Sequence, residues 1–91
     1  MMKQKQYANG QKTFEQSDDI LTYFFKNGEI KAFGKSENTL MQGEWKFYRE
    51  SGQLWQVGNF KDNLKHGKWI RYNKENELEY EEYFENGKKL K

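Results

Sequence analysis

One histidine, three serines and a run of glutamates are the residues of this chain whose chemistry must be weighed first. His66 is the only histidine, and there is no cysteine. Without thiols there is no disulfide, no thiolate zinc site and no cysteine nucleophile. A single imidazole needs partners before it can act as a base or hold a metal. His66 stands beside Gly67, where the spacing places a turn, and is read as a solvated loop residue. Ser17, Ser36 and Ser51 could join it in a triad only from a nucleophile elbow, and none lies in a G-x-S-x-G pattern. Asp18-Asp19 lacks the loop of alternating oxygen ligands that calcium needs. No catalytic residue, metal ligand or cofactor site is expected.

The acidic run Glu75, Glu77, Glu79, Glu81, Glu82, Glu85 carries more. On a strand, Glu77, Glu79 and Glu81 fall in one row. Such a stripe suits a basic protein partner. A solvated last strand, charged against edge-to-edge pairing, explains the same row. Lys68, expected opposite Glu81, neutralises part of it. The lysines are scattered and the formal net charge is only +2, so no nucleic acid partner is expected. The basic end Lys88-Lys89-Leu90-Lys91 would hold an anionic membrane by ~1 kcal/mol per lysine, a weak attachment.

Repetition sets the elements that must carry these residues. A chain of 91 residues has room for one domain. Its hydrophobic share, 34%, is low, but 7 Phe, 6 Tyr and 3 Trp supply large buried surfaces, so the chain is read as folded around a thin core. No apolar run approaches the ~18 residues of a membrane span. The polar start, Met1 to Gln6, has no signal-peptide core, so a cytoplasmic location is expected of the chain as written, export of a longer native chain remaining open. At an offset of 24, Gly43-Glu44-Trp45-Lys46-Phe47-Tyr48 falls on Gly67-Lys68-Trp69-Ile70-Arg71-Tyr72, Leu54 on Leu78 and Phe60 on Phe84. Three copies follow, at 19–42, 43–66 and 67–90. Residues 1–18 are out of phase: they are either the tail of a worn earlier copy, with Tyr7 to Gly10 resembling Phe84 to Gly87, or a mobile tail.

Glycines inside each unit and aromatics off a 3.6 period argue against helix. Short aromatic runs between turn formers predict strands. The predicted fold is all-β: three repeated β-hairpins forming an antiparallel meander of six strands, a single curled sheet over 19–91. A loop at 49–52 or 50–52 places Phe47 near Leu54 and Trp45 near Gln56, and a six-residue connection at 62–67 places Phe60 near Trp69. One face, A, then holds Leu21, Tyr23, Ile30, Trp45, Phe47, Leu54, Phe60, Trp69, Leu78, Tyr80 and Phe84. Gly34 and Gly58 leave gaps there for neighbouring aromatics. The other face, B, holds Phe24, Phe33, Tyr48, Trp55, Val57, Ile70, Tyr72 and Tyr83 among Lys31, Lys46, Glu79 and Glu81. The sheet is expected to curl around face A.

The pattern G-x-W-x-x-Y-x-x-x-G-x-L, complete from Gly43 to Leu54 and broken only by Asn76 from Gly67 to Leu78, resembles the MORN-repeat variant, in the form found in bacterial antitoxin components. The resemblance implies stacked β-hairpins, no catalysis and a protein partner. It implies no catalytic residue, because the motif marks architecture. The expected function is thus a protein-binding module. Its candidate contact residues are Tyr48, Trp55, Tyr72 and Tyr83 with Glu77, Glu79 and Glu81, and its action antitoxin-like or immunity-like. Structural self-association and binding to an anionic membrane surface are the alternatives.

Overall fold

The computed structural model describes residues 6–90; the start of the polar N-terminal segment and the last lysine of the basic end, Lys91, lie outside the described residues. Alternating aromatic and polar residues between turn formers give eight strands: β1 (Phe14–Ser17), β2 (Ile20–Phe24), β3 (Ile30–Glu37), β4 (Leu40–Tyr48), β5 (Leu54–Lys61), β6 (Leu64–Tyr72), β7 (Leu78–Glu85) and β8 (Lys88–Leu90). They form one antiparallel sheet in strict chain order. The all-β meander stands as predicted. The count of six strands does not: short β1 and β8 extend the sheet at either edge.

The period is written in two sets of turns. At one end lie Phe25–Glu29, Arg49–Gln53 and Asn73–Glu77. In each, the first N–H donates to the fifth carbonyl and the fourth N–H donates to the first carbonyl. The fourth residue is left-handed, as Gly28 (φ 91°), Gly52 (97°) and Asn76 (65°). Tyr7–Gln11 makes the same two bonds, with Gly10 at φ 88°. The turn at Tyr7–Gln11 therefore corresponds to Phe25–Glu29 rather than to Phe84–Gly87. It falls out of phase because the β1–β2 hairpin closes early, at Asp18-Asp19.

At the other end, Asn38-Thr39, Asp62-Asn63 and Asn86-Gly87 are two-residue turns with both residues left-handed, the form that matches strand twist. The predicted six-residue connection at 62–67 is thus wrong, since Leu64 to Gly67 belong to β6. The register shifts accordingly. Phe47 pairs with Gln56, Trp45 with Gly58, and Gly58 with Trp69. Phe60 and Trp69 still meet, edge to face at 5.1 Å, because the slip is an even one and keeps both on face A.

Face A holds the core. Trp45 is fully buried, and Leu21, Ala32 and Trp69 are nearly so. Each tryptophan lies flat on the glycine of the preceding strand, Trp45 over Gly34 and Trp69 over Gly58, where a Cβ would run into the ring. Each indole N–H donates to the carbonyl just past that glycine, Trp45 to Lys35 and Trp69 to Asn59, both at 2.9 Å. Phe60 stands edge-on between the two rings. Phe84 and Phe47 extend the cluster to either side.

The sheet is one layer, 43 × 34 × 18 Å. Its accessible surface is 6525 Å². A compact chain of its 11.1 kDa would expose roughly 5,700 Å². Among the described residues, no helix is long and apolar enough to cross a membrane.

Candidate binding site

A bulge recurs once per hairpin near the first set of turns. The register shifts between Tyr23 and Phe24, between Phe47 and Tyr48, and between Arg71 and Tyr72. The extra residues are Lys31, Trp55 and Glu79. In a bulge, two residues of one strand face one residue of its partner, so alternation slips by one. Trp55 therefore shares a side with Gln56 and Phe47, on face A. Ile30, Leu54 and Leu78 pair with Phe24, Tyr48 and Tyr72 and pass to face B. The predicted placing of Trp55 and Glu79 on face B, and of Ile30, Leu54 and Leu78 on face A, is corrected by this one extra residue.

The glutamate row disperses for the same reason. Glu77 lies in the turn, where Asn73 donates to it. Glu79 is the bulged residue. Glu81 alone stays on face B, opposite Ile70. There it pairs with Lys68 at 2.7 Å. That hydrogen-bonded contact holds the Glu81 carboxyl below its usual range and raises the Lys68 ammonium above its own. Tyr48 and Phe33 are in ring contact on face B, with Tyr72 and the exposed Tyr83 further along the same face. His66 is a β6 residue rather than a loop residue, and its Nδ1 accepts from the Asn86 N–H at 3.3 Å.

The bulges build a feature that alternation alone conceals. Across face A runs the row Tyr23, Ala32, Phe47, Gln56, Arg71, Tyr80. Ala32 is small and leaves a gap between Tyr23 and Phe47. The bulge brings Trp55 to the edge of that gap. The result is an open, mainly apolar trough of about 560 Å³, walled also by Phe25, Lys31, Tyr48, Arg49 and Glu50. Arg71 ends it. Its guanidinium sits between the rings of Trp55 (4.9 Å) and Tyr80 (4.7 Å) and donates to Gln56. Arg49 also faces Trp55, at 6.0 Å, and its Nη2 donates to the Tyr72 carbonyl at 3.1 Å. Its Nε is buried with no acceptor. Of these residues Tyr48 and Trp55 are the ones singled out by sequence. The 24-residue pattern marks where bulges repeat, but Lys31, Trp55 and Glu79 share no chemistry that would expose them.

Among the described residues, no group of three His, Asp or Glu side chains could hold a metal ion.

The comparisons agree with this architecture. The family model described as the MORN repeat variant matches residues 41–62 and 65–86, two copies at the 24-residue period. No curated protein sequence matches the chain. A solved structure described as the crystal structure of the GtfA/B complex bound to UDP and GlcNAc aligns with a TM-score of 0.54 at 14% identity. The alignment covers 84% of this chain and 18% of that one, and shows a shared fold.

Proposed function

On a one-layer sheet that carries two MORN-variant repeats, we propose a non-enzymatic binding module that holds a protein partner against its face. The observation that carries this reading is the open trough beside Trp55. A globular core would close such a surface, whereas this sheet keeps it exposed between two hairpin turns. Trp, Tyr and Arg are the side chains most often found at the energetic centre of protein interfaces, and Trp55, Tyr23, Arg49 and Arg71 gather here. The finer reading is antitoxin-like or immunity-like, in which binding occludes the partner's active surface. It rests on the resemblance of the repeat. Tyr48, Tyr72 and Tyr83 with Glu81 offer a second surface on face B.

Trp55 and Tyr72 lie on opposite faces, so single substitutions separate the two surfaces. The tagged chain is used to capture partners from a lysate of its source organism, beside Trp55→Ala and Tyr72→Ala. One stoichiometric partner lost in Trp55→Ala is expected. A chain that captures nothing and gains mass with concentration would replace the proposal with structural self-association.

A further inference from the structure

Resting on that binding-module reading, we infer that the trough takes an acidic segment of a protein partner. An aromatic or aliphatic side chain seats among Tyr23, Phe47 and Trp55, and flanking carboxylates reach Lys31 and Arg49. The distribution of charge carries the argument. The ion pairs among the described residues are Lys12–Glu15, Lys35–Glu37, Lys68–Glu81 and Lys89–Glu82. None involves Lys31 or Arg49 at the trough, or Arg71 beside Trp55. Lys31, Arg49 and Arg71 rest instead on aromatic rings, Lys31 over Phe25 at 5.9 Å and both arginines over Trp55. A ring face orients a cation without cancelling its charge. Arg49 is further fixed by its bond to the Tyr72 carbonyl, so its charge is presented rather than free to swing away. Against these stand Glu50 on the wall and Glu79 one hairpin further on. The trough is therefore apolar with a cationic rim, the complement of an apolar side chain flanked by carboxylates.

The volume is also in proportion: about 560 Å³ lies within the ~300–1,000 Å³ of pockets that hold small ligands, enough for one large side chain and the backbone beside it. A chain can follow a trough bounded by two turns. A flat anionic membrane cannot, and two cations beside Glu50 make a weak electrostatic anchor for one. This polarity is opposite to that of the basic partner suggested by the glutamate row.

The full chain is immobilised and a random-sequence peptide display library is selected on it. Enrichment of peptides with Asp or Glu beside an aromatic or aliphatic residue is expected. Affinity for a selected peptide should fall tenfold or more on Lys31→Glu and on Trp55→Leu, with the far-UV spectrum unchanged, and stay the same on Lys61→Ala, an exposed residue at the other end of β5. It should also weaken as salt rises from about 50 mM to about 500 mM. A basic consensus, no consensus, or peptides that bind Trp55→Leu as well as the parent would overturn the inference. So would binding to phosphatidylserine vesicles with no peptide selected. A lysate partner kept by Trp55→Ala and lost by Tyr72→Ala would reject the trough while leaving the binding module standing.

Discussion

Adding one methyl group at Gly58 should cost more than the flexibility it removes. In most strands Gly→Ala gains about 0.5–1 kcal/mol, because glycine has more freedom to lose on folding. At Gly58 the new Cβ would fall inside the van der Waals envelope of the Trp69 ring, against three of its carbon atoms. The ring must lift. Overpacking of this kind costs about 1–3 kcal/mol. The lifted indole also gives up its 2.9 Å bond to the Asn59 carbonyl, worth about 1 kcal/mol. Its edge contact with Phe60 at 5.1 Å adds about 0.5–1.5 kcal/mol. After the flexibility term, the net loss is about 1.5–5 kcal/mol, a large part of the ~5–15 kcal/mol that holds a domain folded. Urea unfolding followed by circular dichroism measures it. The decisive comparison is the same substitution in a Trp69→Leu background. There the ring is gone, and Gly58→Ala should become neutral or stabilising. Additive effects across this cycle, or a harmless Gly58→Ala in the parent, would refute the ring-on-glycine account.

Three further outcomes are expected. Trp69→Ala should destabilise by about 3–5 kcal/mol, the usual cost of deleting a buried aromatic; an unchanged melting curve would contradict its burial. Asn63 sits at φ 70° and accepts from the Met41 N–H at 2.6 Å. Asn63→Ala should therefore lose both the left-handed tolerance and the bond, about 2–3 kcal/mol, while Asn63→Gly loses only the bond, about 1 kcal/mol; equal urea midpoints for the two would contradict this. Glu81 has its folded pKa lowered by Lys68. Its contribution is thus present above the unfolded carboxylate range and is lost as pH falls through the folded value. The Tm gap between parent and Glu81→Gln should be small at neutral pH, close on acidification, and shrink in high salt, since the pair is exposed.

Repetition made the sheet readable from sequence, and local exceptions hid the site. Trp45 and Trp69 recur with Gly34 and Gly58 at one spacing, so their stacking follows from residue types alone. Even a register wrong by two left Phe60 and Trp69 on one face. The bulges escaped because they are a property of how two strands pair. Lys31, Trp55 and Glu79 are a cation, an aromatic and an anion, and no local preference ties them together. One uncounted residue per hairpin moved Trp55 across the sheet and broke the glutamate row. The six-residue connection was a misreading of turn chemistry: Asp62-Asn63 is as good a left-handed pair as Asn86-Gly87, and both recur with Asn38-Thr39. The trough needed a small residue, Ala32, between two aromatics on different strands, a relation visible only once the register is known.

The strict chain order of the strands also bears on how the molecule forms. Every strand pairs only with its neighbours in sequence, so no pairing has to wait for a distant segment. Loop-closure entropy is small at each step, and contact order is low for an all-β protein. Folding can begin at any one hairpin and spread outward, as in linear repeat arrays. The β4–β5–β6 centre, where the two tryptophans clasp their glycines, is the natural place to begin. Four-residue β1 and three-residue β8 open first, so amide exchange should slow steadily from both edges toward that centre.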